Sequence, residues 1–199
     1  MTTWLRARNG QRIAAGLTAL LALIAVIGSG QLSLPTVLGG GLSPTPMTTF
    51  LPIGFIAAVL PALEERASTR ERRAVRRLGG YDLALVGACW AAIVLATLAL
   101  SLAHIGPSPL IVARNLALLS GLALAVGAWT SVPVGMASAT AFTVITSSIA
   151  VTAAPANRAR VLQAPLDDAL SFAVTCLCVA LGTLAMLIRA PHRLTLALR

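Results

Sequence analysis

The chain has 199 residues, of which 57% are hydrophobic and 11% charged, and its mean hydropathy is +0.88. A water-soluble domain carries about 25% charged residues, so the composition describes an integral membrane protein whose surface is largely solvated by lipid. The net charge of +9 does not indicate nucleic-acid binding. Aromatic residues make up 4%, too few for base stacking, and the cations gather in short segments where headgroups and the insertion machinery account for them.

All fifteen cations are arginine; there is no lysine. A Walker A phosphate loop and Schiff-base chemistry both require lysine, so the chain carries neither. Cys89, Cys176 and Cys178 lie in apolar segments without a CxxC pair, and His104 and His192 are far apart. That pattern predicts no metal site and no bound cofactor, with the thiols acting as small hydrophobes.

Taken in order, Met1–Arg12 is short and basic, with Trp4 suited to headgroup depth. Residues 13–30 form an apolar run about long enough to cross a bilayer, predicting a first span rather than a cleaved signal peptide. Gln31–Met47 is uncharged and rich in Gly, Pro, Ser and Thr, and reads as an irregular outer loop around Gly39-Gly40-Gly41. A second span covers about 48–63, with Pro52 near its outer end and Pro61 placed to kink or end it.

The densest charge follows, in Glu64–Gly80, which holds six of the fifteen arginines and three of the six acidic residues. Ser68 and Glu71 have capping-box spacing, and Gly79-Gly80 reads as a left-handed helix stop. Arg76 and Arg77 fall in the last turn, where the helix dipole favours positive charge. Arg66, Arg70, Arg73 and Arg77 share one face if helical phase extends back to Arg66. The spacing predicts a short, basic, capped helix over Ser68–Leu78.

Asp82 reads as the N-cap of a third span, 83–103. A tight turn at His104–Pro109 leads into a fourth span, 110–128. Trp129–Pro133 is so short that the fifth span, 134–153, must return antiparallel beside the fourth. The fifth is the most polar, and Ser138, Thr143, Thr146 and Ser147 are its candidates for a substrate path, against the plainer reading that their hydroxyls bond their own helix or a neighbour. Ser131, Gly135 and Ala139, like Gly121 and Ala125 on the fourth span, have the small-residue spacing of close helix packing. Arg114, just inside the fourth span, is expected to snorkel to the outer headgroups. After a second loop, Ala154–Asp168, either Asp167 or Asp168 can cap the sixth span, 169–188.

The N-terminus, the Glu64–Gly80 segment and the C-terminal tail hold twelve of the fifteen arginines. Six spans with both termini and the basic segment in the cytoplasm satisfy that asymmetry, and the whole chain reads as one transmembrane domain, 1–199. The Ala/Leu/Arg-rich, lysine-free composition points to a bacterial plasma membrane. No carboxylate falls at mid-span, which argues against proton-coupled transport. Leu119-Ser120-Gly121 is a poor match to a rhomboid-type serine protease, and neither histidine is mid-membrane.

An all-α layout of six spans with a capped cytoplasmic helix between spans two and three resembles the membrane subunit of an ABC-2-type ABC transporter. Glu65-Arg66 and Ser68-Thr69 stand where that family has a Glu-Arg element and a Gly-Thr pair, Ser68 replacing the glycine. The resemblance implies an ATPase-coupling element made of Glu65, Arg66, Ser68, Thr69, Arg70, Glu71, Arg73, Arg77 and Leu78. It also implies a dimer with a second permease copy, and separate ABC ATPase subunits that bind ATP and Mg. The expected cargo of such an exporter is hydrophobic or amphipathic. The rival reading is a small membrane enzyme or assembly factor whose basic loop holds anionic lipid headgroups.

Overall fold

The computed structural model describes residues 10–27, 30–35, 42–64, 78–103, 108–148, 162 and 168–192. The elements are α1 (Gly10–Ile27), β1 (Gln31–Pro35), β2 (Leu42–Pro46), a 3-10 turn (Met47–Phe50), α2 (Leu51–Glu64), α3 (Leu78–Leu102), α4 (Pro109–Trp129), α5 (Val132–Ser148) and α6 (Ala169–His192).

Three stretches are long and apolar enough to cross a bilayer: Asp82–Leu102, Pro109–Trp129 and Ala169–Ile188. Shorter apolar helices cover Ile13–Ala22, Met47–Pro61 and Val132–Ser148. The most hydrophobic window of α4 is 61% buried, against 22% for those of α3 and α6. The bundle is therefore built around α4, which packs against α2, α3, α5 and, most extensively, α6. Its core joins Phe55, Ile56, Val59 and Leu60 of α2 to Ile93 of α3 and to Leu116, Leu118, Leu119 and Ala123 of α4. The outer faces of α3 and α6 display Leu95, Leu98, Phe172, Leu177, Leu181 and Leu184, the pattern of helices solvated by lipid.

Two glycine contacts set the spacing around α4. A Cβ on Gly121 would lie 2.7 Å from the carbonyl oxygen of Cys178, and one on Gly182 would lie 2.6 Å from the carbonyl oxygen of Gly121. Backbone thus meets backbone where α4 crosses α6, a spacing that any side chain there would prevent. On the other side Gly135 of α5 lies against Ala123 and Gly127 of α4. The connection is as short as expected: Thr130 Oγ1 and the Thr130 N–H both donate to Val126 O, and α5 begins at Val132. Helices joined so tightly must run antiparallel.

Several expectations are corrected. The segment expected to be an irregular outer loop contains an antiparallel ribbon, with Gln31 paired to Pro46 and Pro35 to Leu42. Both strands of a two-stranded ribbon are edges, so Pro35, Pro44 and Pro46 can keep their missing N–H on the unpaired side. Gly39-Gly40-Gly41 falls in the connection, outside the described residues. The described residues are accordingly mostly helical, as expected, with one small ribbon added.

Gly79-Gly80 does not stop a helix. Both residues lie in the first turn of α3, which begins at Leu78. First-turn N–H groups lack intrahelical partners in any case, and the long apolar run that follows supplies the drive to extend. Asp82 is for the same reason inside α3 and buried, not its N-cap. Pro61 is carried within α2, which continues to Glu64.

Candidate functional site

The polar residues held inside the bundle lie mainly on α4 and α5. Arg114 begins only five residues after Pro109, roughly 7–8 Å along the axis at 1.5 Å per residue. From there a long side chain can reach the headgroups. It does not: Arg114 is 9% exposed, turned inward beside Asn115, which is 2% exposed. This overturns the snorkelling expectation.

Arg114 Nη2 donates to Leu162 O at 3.1 Å, and Asn115 Nδ2 donates to the same oxygen at 3.0 Å. Arg114 Nε and Nη2 also reach Asn115 Oδ1 at 3.4 Å. Leu162 is itself buried in the hydrophobic core. One residue of the α5–α6 connection is therefore fixed twice, by its side chain in the core and by two donors on its carbonyl. Asp168 acts electrostatically on the guanidinium. Its Oδ2 accepts the Ser171 N–H at 2.8 Å, so it caps α6 as its position suggested.

On α5, Thr143, Thr146 and Ser147 lie on the buried face with Gly135 and Ala139, while Ser138 is half-buried to one side. The hydroxyls of Ser138, Thr143 and Thr146 donate to Gly135 O, Ala139 O and Phe142 O at 2.7, 2.9 and 2.8 Å. This is the plain intrahelical role, although each oxygen can still accept. Ser147 differs. It is 1% exposed, and its Oγ has no hydrogen-bond partner among the described residues.

Of the nine proposed coupling residues, Glu65, Arg66, Ser68, Thr69, Arg70, Glu71, Arg73 and Arg77 lie outside the described residues, as does nearly all of the helix expected over Ser68–Leu78. Leu78 is the first residue of α3. No group of acidic, histidine and cysteine side chains with metal-binding geometry occurs among the described residues. Sequence reasoning missed Asn115, Gly182 and Leu162. An asparagine beside an arginine inside an apolar run was a readable signal; Leu162 carried none.

Compared with protein-family models, curated proteins and solved structures, the chain gives no match.

Proposed function

We propose that this chain is the membrane-spanning subunit of an ATP-driven transporter, of the ABC-2 permease kind that its layout resembles. In this reading the six apolar segments span a bacterial plasma membrane with both termini inside. Two copies pair around a path, and ATP is hydrolysed on a separate soluble subunit, since a chain without lysine has no phosphate loop of its own.

The observation that carries the reading is how the arginine-rich segment 65–77 is attached. It follows Glu64, the last residue of α2, and precedes Leu78, the first of α3. Helices α2 and α3 both pack on α1 and α4; α2 packs in addition on α5, and α3 on α6. A partner that moved this segment would pull on helices reaching both sides of the bundle. A loop that served only to satisfy the positive-inside rule requires no such attachment.

Purification of the full chain from its own membranes in mild detergent tests the reading. A soluble ATPase should copurify and be lost when Arg70, Glu71 and Arg73 are replaced together. Recovery of the chain without any ATPase, with the same substitutions weakening only retention of anionic lipid, would replace this reading by the headgroup-binding one.

A further inference from the structure

The polar residues buried inside the bundle gather towards one end. Helix α4 begins there with Arg114 and Asn115, and α5, running antiparallel against it, ends there with Thr146, Ser147 and Ser148. The start of α6, with buried Ser171, is brought to the same end by Asp168, which acts electrostatically on Arg114. Towards the opposite end the interior is apolar: Val59 and Leu60 late in α2, Leu124 on α4 and Val132 at the start of α5 are all buried. Among the described residues the exceptions are Asp82, at that opposite end, and Ser120, near mid-bundle.

The polar end is roofed by the β1–β2 ribbon and the 3-10 turn. Both strands touch α5, and the turn touches α4. Alternating passage of the helices sets the start of α2, and with it the turn, beside the start of α4. The other end has no such roof, since Trp129 at the α4–α5 turn is exposed. The contact under the roof is itself polar. Thr45 is 0% exposed and Thr49 is buried, whereas Leu42 is 70% exposed, and none of the three leucines on the strands is fully buried. A cap held down by apolar burial costs much to lift. One resting on threonines does not.

The roof is also jointed at its base. The Met47 N–H donates to Gly30 O at 3.0 Å, and the 3-10 turn from Met47 runs directly into α2; short 3-10 stretches are frequent hinges. A lone two-stranded ribbon is marginally stable, and Pro35, Pro44 and Pro46 keep further strands from locking its edges. Beneath it, the buried Ser147 Oγ has no hydrogen-bond partner among the described residues, so water reaching it would relieve a desolvation cost.

We propose that the two strands and the 3-10 turn form a lid, hinged at Gly30 and Met47, that opens the polar end of the bundle to water. Arg114, Asn115 and Leu162 keep their bonds as it moves. What it uncovers is the end of α5, from Thr146 to Ser148. The movement needs neither an ATPase nor a second copy, so it does not rest on the transport reading.

The test follows labelling by a polar maleimide of two single-cysteine forms of the full chain in nonionic detergent. One carries Ser147→Cys, with the three native cysteines replaced by alanine. The other keeps only Cys89, buried in the half of α3 nearer the opposite end. Ser147→Cys should label at least roughly tenfold faster than Cys89, at a rate that barely rises with urea, because a lid exposes little surface on opening. Thr45→Asp, which sets a charge under the closed lid, should raise the Ser147→Cys rate roughly tenfold further and leave Cys89 unchanged. If Thr45→Asp fails to fold, the urea dependence decides alone. Labelling of both positions together, only as urea unfolds the chain, would mean a fixed cap and overturns the proposal. So does a Thr45→Asp effect that is absent at Ser147→Cys or shared by Cys89. Neither result depends on whether an ATPase copurifies.

Discussion

Gly121 and Gly182 face each other where α4 crosses α6, and a Cβ on Gly182 would sit 2.6 Å from the Gly121 carbonyl oxygen and 3.1 Å from its Cα. The atoms in the way are backbone, so no rotamer change relieves the clash and the two helices would have to separate. Gly182→Val should destabilise the bundle by about 1–3 kcal/mol, read as a lower unfolding temperature in detergent. Gly87→Ala is the control: nothing lies within 4 Å of a Cβ there. Alanine at that site should be neutral or stabilising, by up to about 1 kcal/mol. Equal effects at the two positions would remove the close crossing.

Asp168 caps α6 through the Ser171 N–H at 2.8 Å. Asp168→Ala should cost about 1 kcal/mol, and Asp168→Asn, which keeps a side-chain oxygen, much less. Detergent unfolding of the two variants side by side measures the difference. If asparagine is no better than alanine, the cap contributes nothing.

Leu162 is 1% exposed and lies within the core cluster although it belongs to no helix or strand. Leu162→Ala should therefore cost about 2–5 kcal/mol, as truncations inside a packed core do. The same substitution at Leu177, exposed on α6, should change stability by no more than about 0.5 kcal/mol. A mild effect at Leu162 would mean that its connection is not anchored.

These contacts separate what the sequence could announce from what it could not. Membrane class and the neighbouring fourth and fifth helices follow from apolar run length and a very short turn, both local properties. The small-residue spacing at Gly121 and Gly135 marked close packing, yet only three-dimensional placement shows that Gly121 meets α6 while Gly135 meets α4. Two local rules misled in the same way. Paired glycines suggested a stop at Gly79-Gly80, and depth suggested an outward Arg114. In both cases the tertiary context won, through a helix that extends back to Leu78 and a carbonyl that draws the guanidinium inward. Leu162 supplies that carbonyl from 48 residues away, a separation that no periodicity encodes.

The proposed six-span arrangement makes a directional prediction. With the native cysteines replaced, a cysteine at Ser43, in the ribbon, should react with an impermeant thiol reagent from outside intact cells. One at Ser68 should react only after the membrane is opened. The reverse pattern would invert the chain and separate the basic segment from any cytoplasmic ATPase.

The most direct test of the transport reading is ATP hydrolysis by the complex reconstituted in liposomes. If segment 65–77 docks as a shaped element, the energy should concentrate in a few positions, as it does at interfaces generally. Glu71→Ala and Leu78→Ala should then each lower stimulation roughly tenfold, while single arginine changes differ from one another. If Glu71→Ala and Leu78→Ala are neutral, and hydrolysis falls only with the number of arginines removed and with rising salt, the segment is a headgroup-binding loop and the account is contradicted.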